Sequence, residues 1–169
     1  SSDLTTMFGE HFKEALIAPL LSWEFVPFRQ HEKESCYIRD FFKFRQMALN
    51  LKWNIDLTFV KSLLRLENKA LVVTNKKQQF IYASKYFEAM TGYQFEDVMG
   101  KTASLCQGPD TDKKELKRVG KLIGNNLPVS TILQNYKKDG SVYYCKIDIT
   151  PIKNQDDEVV NYMAIEQEV

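Results

Sequence analysis

Two hydrophobic periods divide this chain near residue 68. Before it, apolar residues recur every three or four positions, the spacing of a helix face. Phe8, Phe12, Ala15 and Leu16 mark a first helix that Pro19 ends. Leu20 to Phe28, with Trp23 and Phe25, reads as a short helical turn or packed loop closing near Pro27. Arg29 to Ser35 is a polar stretch. Ile38, Phe41, Phe42, Ala48 and Leu49 predict a third helical segment, and Leu57, Val60, Leu63 and Leu64 a fourth. Asn54 or Asp56 is available to cap that last helix, and Arg65 near its end suits the helix dipole.

From Ala70 the pattern becomes that of strands. Ala70–Thr74 and Gln79–Ala83, joined across Asn75-Lys76-Lys77, predict a hairpin. Ser84 is placed to cap a helix carrying Tyr86, Phe87 and Met90. Gly92 can end that helix in a left-handed conformation. Gln94 to Met99 fits one helical turn stopped by Gly100. Asp112 and Glu115 have capping-box spacing ahead of a helix whose apolar face is Leu116, Val119, Leu122 and Ile123. Strands are expected over Ser130–Tyr136, Val142–Thr150 and Glu158–Glu166. A two-residue Asp139-Gly140 loop would pair Asn135 with Tyr144 and place the apolar faces of the two long strands on opposite sides. A loop of odd length, with Gly140 left-handed, keeps Thr131, Leu133 and Asn135 on the same side as Tyr143, Cys145, Ile147 and Ile149. The odd loop is therefore expected.

Composition narrows the function. The net charge of +1 gives no global attraction to nucleic acid or membrane. Lys113, Lys114, Lys117, Arg118 and Lys121 read as a solvated helix face. No apolar run approaches the ~20 residues of a membrane span. The chain opens without a basic segment leading into an apolar one, so no signal peptide is expected. Cys36, Cys106 and Cys145 are odd in number and widely spaced, which suits a reducing, cytoplasmic setting and no metal site. No nucleophile, base and orienting group come together in the sequence, and both histidines, His11 and His31, precede the strand-rich half. Catalysis and haem ligation from within that half are not expected.

The order of strand, strand, short helices, long helix and three strands predicts an α+β domain: an antiparallel sheet of about five strands with helices on one face. A helical N-terminal region, 1–68, precedes it, and the sheet domain is 69–169. Thr91-Gly92-Tyr93, Gly100, the run Gln107-Gly108-Pro109-Asp110-Thr111-Asp112, Asn135 through Gly140, and Pro151-Ile152 occur in an order that resembles the PAS domain. The run around Gln107 is most similar to the light-oxygen-voltage subclass, whose loop reads Gly-x-Asn-Cys-Arg-Phe-Leu-Gln-Gly and whose Cys forms a light-driven adduct with flavin. Here the loop is Gly100 to Gly108, and Ala103 stands at the reactive position. The resemblance places the two phosphate-holding arginines of the family at Ser104 and Gly120. It places the ring-contacting amides at Asn135, Cys145 and Glu166, with Gln107 retained. Cys106 is expected to be a small buried residue pointing away from the reactive position.

The resemblance implies a non-catalytic sensory and protein-interaction module in signal transduction, without cysteinyl-flavin photochemistry. The alternative is a sensor holding a small metabolite or a weakly bound flavin such as FMN. The candidate cavity residues are Thr102, Ala103, Gln107, Leu133, Asn135, Cys145, Ile147 and Glu166. No cofactor, metal, nucleic acid or membrane partner is expected. A homodimer through the N-terminal helices or the sheet, and a downstream signalling protein, are the expected partners. The apolar rows Phe41–Leu49 and Leu57–Leu64 are the candidate dimer surface, with packing inside the chain as the equal alternative.

Overall fold

The computed structural model describes residues 28–169, with side chains from residue 36. The expected helices before residue 28 lie outside the described residues. Residues 36–169 form one compact unit.

The first described element, α1 (Phe28–Asn50), takes in the polar stretch ahead of the third apolar row as well as the row itself. Arg, Gln, Glu and Lys are good helix formers, and no Gly or Pro interrupts them. A tight turn with Lys52 at positive φ leads to α2 (Leu57–Leu64). Asp56 caps α2, its carboxylate accepting from the N–H groups of Thr58 and Phe59 at 2.8 and 3.2 Å.

Five antiparallel strands follow: β1 (Ala70–Asn75), β2 (Phe80–Ala83), β3 (Val129–Tyr136), β4 (Val142–Lys153) and β5 (Val159–Glu168). They form one sheet in the order β2-β1-β5-β4-β3. Between β2 and β3 lie α3 (Lys85–Thr91), α4 (Phe95–Val98), a 3₁₀ turn (Ala103–Cys106) and α5 (Lys113–Gly124). Strand β4 runs past its expected end through Pro151. Pro151 is tolerated because β3 pairs with β4 only as far as Ile149, so the missing N–H costs no ladder bond on that side.

The β3–β4 hairpin has the expected odd loop. Asn135 pairs with Tyr143, Lys137 N–H donates to Ser141 O at 2.8 Å, and Gly140 sits at φ 86°. Thr131, Leu133 and Asn135 thus share a face with Tyr143 and Cys145. The loop tip is fastened to the helices: Lys138 N–H donates to Thr91 O at 2.8 Å, and its ammonium pairs with Asp97 at 2.5 Å.

The sheet is covered on both faces. On the inner face Ala70, Val72, Phe80, Tyr143 and Cys145 pack with Phe87 and Met90 of α3, Val98 of α4 and Cys106. On the outer face Phe44 and Ala48 of α1, and Val60 and Leu63 of α2, pack on Leu71, Val73, Tyr82, Ile152 and Met163. Much of the two N-terminal apolar rows is therefore buried within the chain, while Ile38, Phe42, Leu49 and Phe59 remain exposed. Trp53 locks α1 to the sheet: its indole Nε1 donates to the buried Asn161 Oδ1 at 2.9 Å. At the far end of the inner face, Val119 and Ile123 of α5 pack on Val129 and Tyr162.

Candidate functional site

The inner face carries a run of polar groups in an apolar setting, and the strand register explains it. Asn135, Tyr143, Cys145 and Glu166 all occupy inward positions of β3, β4 and β5, with Leu133 opposite Cys145 and Ile147 opposite Glu166. Glu166 is 7% exposed and Gln167 lies on the alternate face, so no register slip replaces the acid by the amide.

Asn135 is 5% and Tyr143 3% exposed, and neither Asn135 Oδ1 nor the Tyr143 hydroxyl makes a hydrogen bond. Unpartnered buried polar atoms are costly, at about 1–3 kcal/mol each. Burial pushes the Tyr143 phenol up, and the neighbouring thiols and Glu166 push it further; the nearby Asn135 side chain acts the other way. Glu166 is raised to about 7 by burial, with the Cys145 thiol 3.9 Å away as its contact. Cys106 is pushed up to about 12, first by burial and then by the charge of Glu166. Cys145 is raised in the same way. Two neutral, poorly nucleophilic thiols and a carboxyl that titrates near neutrality therefore meet in one place.

Not all the expected site residues come together. Asn135, Cys145 and Glu166 do, with Leu133 and Ile147 beside them. Gln107 is half-buried at the end of the 3₁₀ turn. Thr102 and Ala103 are exposed, and the Thr102 hydroxyl lies 2.7 Å from that of Ser104. Cys106 is the small buried residue expected: it lies in the inner core, while Ala103 at the reactive position is exposed. Of the four residues of the 3₁₀ turn, Cys106 is the buried one.

Two further residues escaped the sequence reading. Tyr143 was legible only as part of an apolar strand face; its hydroxyl, midway along an otherwise apolar row, was the available signal. Thr111 is buried and its hydroxyl donates to Gln134 O at 2.7 Å while accepting from Gly108 N–H at 3.0 Å. This pins the loop of residues 107–112 to β3. Gly108 is required there, because a Cβ would sit 2.2–2.7 Å from three atoms of the Tyr136 ring.

Ser104 and Gly120, where the resemblance expects the two arginines, bring no cation to the site. Ser104 is exposed, and a side chain at Gly120 would meet nothing within 4 Å. Arg118, on the same helix, is engaged with Glu115 at 2.6 Å and with Ser130 O at 3.1 Å. Glu115 is held down at about 2 by that guanidinium and by the Thr131 hydroxyl. It therefore supplies only the anion of a local pair, and the reciprocal half of the expected capping box is not formed; Asp112 alone caps α5.

A separate surface cleft of about 270 Å³ lies between α1 and the α3–α4 turn, lined by Asp40, Lys43, Tyr82, Lys85, Glu88 and Tyr93 among others. It mixes both charges. Lys85 pairs with Glu88 at 2.5 Å, and Glu88 also accepts from Gln94. Among the described residues no group of His, Cys, Asp and Glu is arranged to hold a metal ion, and no helix is long and apolar enough to cross a membrane.

A five-stranded antiparallel sheet in this order, its inner face closed by short helices around a few inward polar groups, is the PAS class of sensory fold. The family model for the PAS domain matches residues 68–169, and the chain belongs to that family. Within it, the chain is similar to light-oxygen-voltage domains. A solved light-oxygen-voltage domain studied with a flavin analogue superimposes with a TM-score of 0.62 at 30% identity, over 66% of this chain and 84% of that one. The light-oxygen-voltage domain of a blue-light activated histidine kinase from Erythrobacter litoralis gives 0.56 at 28%, over 59% and 94%. Among curated proteins, the bacterioopsin transcriptional activator of Halobacterium salinarum is 31% identical over 124 residues, and a blue-light photoreceptor of Listeria monocytogenes 30% over 109. These alignments take in 68% and 63% of this chain but only 18% and 43% of those proteins, so the chain spans less than half of either relative.

Proposed function

We propose that residues 69–169 act as a non-catalytic PAS sensory and interaction module that works without a cysteinyl-flavin adduct, in a cytoplasmic signalling protein. The helical region before residue 69 is the part through which the module meets a second copy or a downstream protein. The observation that carries the reading is the state of the inner face. Its polar end keeps Asn135 and places Tyr143, Cys145 and Glu166 beside it, while the position of the photoactive cysteine is an exposed alanine. The interior is filled by Phe80, Phe87, Met90 and Tyr143. No thiolate is at hand either: Cys106 and Cys145 both stay protonated at neutral pH.

Flavin mononucleotide fits this site only in part. The unpartnered Asn135 Oδ1 and Tyr143 hydroxyl suit the polar edge of a ring. The phosphate end does not fit, since Ser104 and Gly120 offer no guanidinium and each such contact contributes roughly 1.5–3 kcal/mol. A smaller ligand without phosphate, gripped by the same polar end, is the second reading, favoured by those two orphaned atoms. The exposed Ile38, Phe42 and Leu49 on α1 support the homodimer expected through the N-terminal helices.

Native mass spectrometry and absorbance of the freshly purified chain test this. The expected result is no stoichiometric flavin and no light-induced absorbance change that recovers in darkness, in the wild type or in Ala103→Cys. A yellow protein carrying one flavin nucleotide per chain overturns it.

A further inference from the structure

We infer that Asp40 of α1 is a clasp coupling the packing of the interior to the docking of the long helix, so that a disturbed interior is read out as release of residues 36–50. This rests on the interior being the sensory site.

The first observation is a misplaced cap. Ser84 occupies the N-cap position of α3 but caps nothing. Its hydroxyl accepts instead from Leu71 N–H at 2.9 Å, while its own N–H donates to Leu71 O at 2.8 Å. That exchange ties the start of α3 to β1 and leaves first-turn donors without their usual acceptor. Asp40, 45 residues earlier in the chain, supplies one: its Oδ2 accepts from Lys85 N–H at 2.7 Å. The same residue is held a second time, because the Tyr82 hydroxyl donates to Asp40 O at 3.1 Å. One residue of α1 thus grips both the end of β2 and the start of α3.

The second observation is that both gripped elements line the interior. Strand β2 points Phe80 into the inner core and Tyr82 outward. The Tyr82 ring stands edge-on to Phe44 of α1, with centroids 5.4 Å apart. Helix α3 points Phe87 inward, 5.6 Å from Phe80. On its free edge β2 is bonded to the loop leading to position 103: Phe80 N–H donates to Lys101 O at 2.8 Å, and Gly100 N–H to Phe80 O at 2.9 Å. A shift of Phe80 or Phe87 moves Tyr82 or Lys85, and Asp40 bonds to both. Asp40, Tyr82 and Lys85 all line the surface cleft, so both bonds lie at its wall and not within the core.

Hydrogen exchange on the full chain tests the coupling, reading amides of residues 41–50 and 85–91 with global stability from urea unfolding subtracted. Asp40→Ala should speed exchange in both segments roughly two- to thirty-fold, the range for a lost cap. Asp40→Asn keeps an acceptor oxygen and should stay near wild type. Cys145→Ala and Tyr143→Ala loosen the interior from β4, far from the clasp in sequence. Either should speed exchange in 41–50 when Asp40 is present and add little once it is alanine. Unchanged 41–50 exchange in Asp40→Ala overturns the inference. So do interior variants whose effects simply add to that of Asp40→Ala, which would make Asp40 an anchor and no more. Because no ligand enters the experiment, an interior that binds nothing leaves this result standing, and a failed coupling leaves ligand binding untouched.

Discussion

Replacing Glu166 by glutamine isolates the cost of burying one carboxyl. The glutamine keeps the shape and the inward position on β5 but cannot ionise. In the wild type the carboxyl rises from its ordinary 4.5 to about 7, because burial disfavours the charged form and only the Cys145 thiol offers a contact. A shift of that size corresponds to about 3 kcal/mol. The folded-state value lies above the unfolded one, so the stabilising contribution is full below about pH 4.5 and is lost as pH rises through about 7. The wild type should therefore lose about 3 kcal/mol relative to Glu166→Gln between about pH 4.5 and about pH 8. Urea unfolding of both proteins at about one-unit intervals across that window gives the difference curve. Whatever hydrogen bond the glutamine gains or loses shifts that curve as a whole and leaves its slope alone. Glu88, Asp97, Glu115 and Asp139, all held below their ordinary values, are common to both proteins and cancel. Cys106, Cys145 and Tyr143 are pushed up, clear of the window. Two curves that run parallel across the range would refute the reasoning, because they would mean that the Glu166 carboxyl is hydrated when ionised.

Three further outcomes follow from the packing. Gly108→Ala should lower stability by about 1–3 kcal/mol in urea unfolding, since its Cβ meets the Tyr136 ring at 2.2–2.7 Å and that ring is held by its hydroxyl to Asp110. Trp53→Phe keeps the aromatic contact with Phe44 but strips Asn161 Oδ1 of its donor, and a loss of about 1–3 kcal/mol by the same assay is expected. Glu115→Gln acts at the opposite end of the pH scale. Glu115 is depressed to about 2 by Arg118 and Thr131, so its contribution is present above about pH 4.5 and lost as pH falls toward 2. Acid unfolding of the variant should be correspondingly less steep over that interval, and an unchanged acid limb would remove Glu115 from the account.

Local chemistry made much of this fold legible from the sequence. Gly92 at φ 76° ends α3 as expected, because only a residue without a Cβ takes that turn freely. The odd hairpin loop followed from alternation alone: the apolar rows of β3 and β4 share a face in only one register, and Gly140 supports the turn that gives it. Asp56 and Asp112 cap the helices they precede. The inward positions of Asn135, Cys145 and Glu166 were readable from the same alternation joined to the family resemblance. In each case the deciding atoms lie within a few residues of one another or follow a strict period of two.

What the sequence could not settle depended on partners brought from far along the chain. The polar stretch before Ser35 continues as helix because its residues favour that state, whatever their lack of an apolar face. Ser84 occupies its predicted cap position, but Leu71 takes its hydroxyl and Asp40 serves Lys85 instead. Glu166 acquires its raised pKa only when β5 is paired on both sides, with Ala70 of β1 and Ile147 of β4, and its carboxyl is buried. Period and turn chemistry were thus determined by sequence, being short-range and repetitive. Burial, hydrogen-bond choice and protonation were decided by the tertiary structure, because desolvation is set by whatever surrounds a group in space.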